Sequence, residues 1–148
     1  LQSEEHTGYE LYRGDAVELW IDADLAGDFE EAEANRTLQD DFQFAFSAGN
    51  FSTLRPEGVI YFPERDEAHN RQLRVRAEPL GNGYTLEASI PWSLLEVEPR
   101  ENLVLGYAVV LNDNDTPPSE EPQTQIASNR ETPFRRPLTL GNLVLSSQ

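Results

Sequence analysis

No cysteine, methionine or lysine occurs in the 148 residues. Without cysteine there is no disulfide framework, thiolate nucleophile or cysteine metal site, and nothing reports the redox compartment. Without lysine every base is arginine, and 11 arginines against 27 acids leave a net charge of −16. Such a surface repels phosphate and anionic lipid over a Debye length of about 10 Å at moderate salt, which argues against nucleic acid and favours neutral ligands or cations. The remaining acids read as a solvated surface. Only two histidines are present; His6 and His69 fall in polar loops and form neither a nucleophile elbow nor a metal-ligand pair. Long apolar runs are also missing, so the segment holds no signal peptide or membrane span. The absent initiator methionine suggests a processed chain or a piece of a longer one.

What is present is a series of short alternating runs separated by turn residues. Strands are expected at Asp15 to Asp22, Phe42 to Ala48, Gly58 to Phe62, Gln72 to Glu78, Tyr84 to Ile90, Val104 to Leu111, Thr124 to Ala127 and Leu140 to Leu145. Gly81-Asn82-Gly83 reads as a hairpin turn using positive φ angles, with Leu73, Val75 and Ala77 alternating against Tyr84, Leu86 and Ala88. Helical signals are confined to "PWSLLEVEP", between Pro91 and Pro99, and to "AGDFEEAEAN". "NDNDTPPSEEPQTQ" reads as an exposed loop. The pattern is that of an all-β protein: one antiparallel β-sandwich, jelly-roll or immunoglobulin-like, with minor short helices. One domain over residues 1–148 is expected, with further strands before Leu1 in a parent protein.

The most informative strand is "GDAVELWID". Alternation puts Val17, Leu19 and Ile21 on one face and leaves Glu18 in mid-strand beside Trp20. A carboxylate there is either solvated, paired with an arginine such as Arg74 or Arg76, or held ready for a polar ligand. Trp20 and Trp92 are both expected to pack in the core or on a sheet face. "IDAD" (Asp22, Asp24) and "LNDND" (Asn112 to Asp115) cluster oxygens that suit a hard cation, without EF-hand spacing, and read equally well as Asx turns.

Four segments in order resemble the family 9 carbohydrate-binding modules, part of a broader DOMON-like group of β-sandwiches: "YRGDAVELWIDAD", "DDFQFAFS", "GYTLEASIPWSLL", and "LGYAVVLNDND" followed by "PFRRPLTLGNLVL". The resemblance implies non-catalytic binding of a sugar end between two aromatic rings, which fall on Tyr12 and Phe134, with Glu18 bonding hydroxyls. Stacking of a ring on the C–H face of a pyranose, with planar polar groups around its hydroxyls, is sound chemistry for such a ligand. The family's ligand-binding arginine falls on Ala45, and a following asparagine falls on Ser47, a further candidate contact. Arg135, with Arg136, would clamp an acidic sugar or else serve as loop charge.

The resemblance implies structural calcium, often held by the relatives, for which the clustered oxygens of Asp22, Asp24, Asp113 and Asp115 are the candidate ligands. It also implies an extracellular or periplasmic location. The loss of the arginine at Ala45 supports a second reading, an extracytoplasmic sensory or interaction domain of a membrane signalling protein such as a sensor histidine kinase. A purely structural domain is a third. Haem binding, known among DOMON-like relatives, is disfavoured because no Met, Cys or Lys is available to ligate iron.

Overall fold

The computed structural model describes residues 1–30, 40–116, 124–128 and 140–147. Strands β1 (Ala16–Asp22), β2 (Asp41–Ser47), β3 (Glu57–Phe62), β6 (Val104–Asp113), β7 (Thr124–Ala127) and β8 (Gly141–Val144) form one antiparallel sheet in the order β3-β2-β1-β6-β7. β8 shares the outer edge of β6 with β7, pairing Val104 to Tyr107 while β7 pairs Val110 to Asp113. β4 (Arg74–Leu80) and β5 (Gly83–Ser89) form a separate hairpin. Short helices α1 (Leu25–Glu30) and α2 (Glu67–Asn70) and 3₁₀ turns at Gly8–Arg13 and Trp92–Leu94 connect or flank these strands.

Register explains the two-layer packing. Val17 faces Phe46, Leu19 faces Phe44 and Ile21 faces Phe42 across β1–β2, so the aliphatic side of β1 and the phenylalanine side of β2 share one sheet face. Phe42, Phe44 and Phe46 stack successively at 5.9 and 6.2 Å. Burying such a ring contributes about 1.5–3 kcal/mol. The hairpin lays Val75 and Leu86 on this face, and Leu73, Leu94 and Leu95 complete the core. Arg74, Arg76, Glu87 and Ser89 alternate outward to solvent, which makes the hairpin the second layer of the sandwich.

The other face of the sheet carries Ala16, Glu18, Trp20 and Asp22 from β1, Gln43, Ala45 and Ser47 from β2, Val59 and Tyr61 from β3, and Ala108, Val110 and Asn112 from β6. It is far from open. Leu11, wholly buried in the 3₁₀ turn, packs with Ala16, Ala45 and Val59. Trp20 packs with Ala108, Val110 and Leu140. β1 is thus covered on both sides.

Several expectations need correction. β4 runs two residues further than expected, and the Gly81-Asn82 loop closes without the positive φ angles expected of it. The polar stretch before β1, for which no regular element is expected, forms a 3₁₀ turn at Gly8–Arg13, and one apolar residue, Leu11, docks it onto the sheet. Trp20 is buried as expected, whereas Trp92 is 38 % exposed at the start of its 3₁₀ turn, where Leu94 and Leu95 take the core positions. Of the expected exposed loop, residues 117–123 lie outside the described residues.

Candidate ligand-binding site

Glu18 is 7 % exposed, and neither Arg74 nor Arg76 pairs with it. Those arginines sit on the outer face of the hairpin, in the other layer. Its partners are amides of the flanking strands: Gln43 Nε2 donates to Oε2 at 2.8 Å, and Asn112 Nδ2 donates to Oε1 at 2.7 Å. Asn112 Oδ1 in turn accepts from Gln125 Nε2 at 2.7 Å. The chain of four polar side chains crosses β2, β1, β6 and β7 and ends at an exposed glutamine. Antiparallel register produces it: Glu18 opposes Ala45 on one side and Val110 on the other, so Gln43 and Asn112, each two residues along, share its face and reach it diagonally.

The chemistry of this arrangement is that of a fixed acceptor. A carboxylate offers about four acceptor positions, and two amides fill only half of them. The donors are neutral, so the negative charge is oriented without being cancelled by a cation.

Tyr12 stands at the edge of the same face, 37 % exposed. Its backbone N–H donates to Tyr61 Oη at 3.0 Å, and the two rings meet edge to face at 6.4 Å. Arg13 Nε donates to the Tyr12 hydroxyl at 3.0 Å, with the guanidinium carbon 5.6 Å from the ring centroid. Arg13 also pairs with Glu10 at 2.6 Å. The Tyr12 ring is thereby held by its backbone, its edge and its hydroxyl. Burial pushes the Tyr61 phenol above its ordinary value; the Tyr12 N–H opposes this, and the charge of Glu18 adds to it. Tyr61 therefore stays neutral beside the carboxylate.

The other expected site residues fall as follows. Ser47 is 1 % exposed and its Oγ accepts the Gly49 N–H at 3.1 Å, so its hydroxyl serves the turn after β2 and not an open cleft. Phe134 and Arg135 lie outside the described residues. Ala45, where the resemblance places an arginine, is completely buried beneath Leu11.

The two acidic clusters lie at opposite ends of the β1–β6 pair: Asp22 faces Gly106, and Asp113 follows Asn112, which faces Ala16. At about 3.4 Å per residue these ends are on the order of 20 Å apart. Asp22 Oδ1 accepts the Asp24 N–H at 2.9 Å, and Asp24 Oδ1 accepts the Gly27 N–H at 3.2 Å. At the other end Asn114 takes over, donating to Arg13 O at 2.7 Å and accepting from Thr116 N–H at 3.0 Å. Both clusters are hydrogen-bonded turns, and among the described residues no three acid or histidine side chains gather around one point. Asp22 and Asp24 therefore stand apart from Asp113 and Asp115, and the four carboxylates do not form one shared cluster.

Gln43 and Asn112 were not singled out from sequence as partners of Glu18, nor were Gln125 and Tyr61 as members of the site. The signal for the first two was strand parity: once Val17 is set opposite Phe46, every second residue of β2 and β6 shares the face of Glu18.

A family model described as "Carbohydrate family 9 binding domain-like" matches residues 2–148. The fold is similar to that of a carbohydrate binding module family 9 from Caldicellulosiruptor kristjanssonii in complex with cellotriose, with 20% identity and a TM-score of 0.66 over 93% of this chain and 60% of that one. A family 9 module from the same organism, in complex with glucose, gives 19% identity and a TM-score of 0.66 over 97% of this chain and 64% of that one. This chain thus spans less than two thirds of those structures. No curated protein matches.

Proposed function

The chain belongs to the carbohydrate family 9 binding domain-like family, and from that premise we propose that it is a non-catalytic module that binds the end of a neutral sugar beside Glu18, with Tyr12 as stacking platform. The observation that carries this reading is the Glu18 carboxylate, buried on a sheet face and aligned by Gln43 and Asn112 with acceptor capacity to spare. Sugar hydroxyls are the donors that such an acceptor takes in place of water. A fixed, partly exposed tyrosine covers an apolar C–H face. The overall charge of −16 disfavours anionic ligands. Phe134 and Arg135 belong to the proposal as the second ring and a further polar contact. An extracellular or periplasmic setting accords with a glycan ligand.

Calorimetry with glucose, cellobiose and cellotriose tests the reading. Heat of binding is expected with at least one sugar, weakened roughly tenfold in Tyr12→Ala, the scale of one aromatic contact. No heat with any of them in the folded wild type overturns it. The second reading, a sensory or interaction domain on the same fold, is favoured by one observation, the burial of Ala45 where a sugar-binding arginine is expected. Binding of a non-sugar ligand with no response to the saccharides would select it.

A further inference from the structure

We infer that a second saccharide subsite lies along the free edge of β3, where Tyr9 and Glu57 receive a pyranose unit adjoining the one held at Tyr12; the inference rests on the carbohydrate-binding reading. A cavity of about 470 Å³ opens there between β3, the 3₁₀ turn of Gly8–Arg13 and α2. That volume lies within the range of about 300–1,000 Å³ common for small-molecule sites.

Its platform is Tyr9, 49 % exposed. The ring stacks on Tyr61 at 6.2 Å with an interplanar angle of 28°, and its hydroxyl donates to the Arg65 carbonyl at 2.9 Å. A ring fixed at both ends loses little freedom when a ligand covers it. Tyr61 also meets Tyr12 at 6.4 Å, so the two exposed rings are joined through one partly buried ring.

The polar side of the cavity is equally defined. Both carboxylate oxygens of Glu57 lie near the Gly8 N–H, at 3.3 and 3.4 Å, long contacts that leave acceptor capacity unused. Burial pushes the Glu57 carboxyl above the usual carboxylate range, against the Gly8 N–H, which lowers it. Such an under-solvated acceptor gains from a hydroxyl donor. β3 is the edge strand, and the Ile60 N–H points away from β2 to Asn70 Oδ1 at 2.9 Å. By antiparallel alternation Gly58, two residues earlier, turns its own N–H and C=O to that same side, where it lines the cavity. Asn70 and Arg71 supply further donors at the rim. Arg71 pairs with Glu67 at 3.4 Å, so the cavity keeps the uncompensated charge of Glu57, which disfavours anions, while the exposed Tyr9 face suits the C–H side of a neutral polyhydroxylated ring.

The test compares glucose with cellotriose by calorimetry on the wild type, Tyr9→Ala and Glu57→Gln, with thermal melts to establish that each is folded. Wild type is expected to bind cellotriose roughly tenfold more tightly than glucose, the scale of one further aromatic contact. Each variant is expected to lose that advantage while keeping its affinity for glucose. Glu57→Gln keeps an oxygen for Gly8 and so controls for damage to the turn in Tyr9→Ala. Equal affinities for the two sugars in wild type, or a parallel loss for both in the variants, overturn the second subsite and leave the site at Glu18 standing. Failure of wild type to bind either sugar overturns both.

Discussion

Removing the carboxylate of Glu18 should unsettle the centre of the sheet, and the cost can be worked from its partners. In Glu18→Ala the Asn112 Nδ2 donor, on a residue only 4 % exposed, loses its side-chain acceptor. Hydrogen bonds to charged groups contribute about 1.5–3 kcal/mol, and a stranded buried donor costs in the same range. The Gln43 amide is half-buried and recovers part of its loss from water. Relief of the buried charge offsets some of the remainder. A net loss of about 3 kcal/mol follows, or roughly 6–12 °C in Tm for a chain of this length.

Glu18→Gln should behave differently. The new amide can accept from Gln43, and a flip of Asn112 followed by a flip of the exposed Gln125 restores every bond along the chain, so about 1 kcal/mol is expected. Urea unfolding followed by tryptophan emission suits the measurement, because Trp20 lies two residues along on the same buried face; a Trp92→Phe background removes the exposed indole signal. A Glu18→Ala variant within 1 kcal/mol of wild type, or a Glu18→Gln variant as destabilised as Glu18→Ala, would refute the argument that the two amides are held by this carboxylate.

Three further outcomes are expected. Phe44→Ala removes a ring with no exposed surface from the middle of the phenylalanine stack and should cost about 3–5 kcal/mol, read from the shift in urea midpoint. Glu57 has a folded-state pKa raised by burial, so its ionised form destabilises the fold: its contribution is most favourable below the unfolded value of 4.5 and is lost as pH rises through the folded value. Glu57→Gln should therefore be more stable than wild type at pH 7, with the gap closing below about pH 4; a constant gap in urea titrations refutes this. Ala45→Arg, which restores the residue type of the family pattern, should destabilise by more than about 2 kcal/mol and leave glucose affinity no higher, because the side chain meets Leu11 and Val59 in a closed cluster; a stable variant with tighter glucose binding refutes it.

The fold was legible because alternation is a strong signal when one face is aromatic and aliphatic. Val17, Leu19 and Ile21 against Phe42, Phe44 and Phe46 leave little choice of pairing. The hairpin followed from the same logic, with its edges shifted two residues because Pro79 and Leu80 continue the pairing through the turn. The site was half legible. Glu18 stood out as an acid in an apolar strand, yet its partners did not, since Gln43 and Asn112 are unremarkable in type and acquire meaning only through register. The 3₁₀ turn at Gly8–Arg13 was missed because its polar composition gives no helical period; a single tertiary contact, Leu11 on Ala16, Ala45 and Val59, holds it in place.

That contact also bears on what the site can recognise. Leu11 needs a small residue beneath it, and Ala45 provides one directly across the sheet from Glu18. An arginine there would both displace Leu11, and with it the turn that carries Tyr12, and neutralise the carboxylate. With alanine in that place the turn docks, and the acid is oriented by neutral amides that leave its charge intact. Tyr61, kept neutral by burial and by Glu18, adds no competing charge. Under the proposed sugar-binding reading, these acceptors suit a ligand rich in hydroxyl donors and free of negative charge. On that reading, packing beneath the turn and preference at the site are two consequences of the same small side chain.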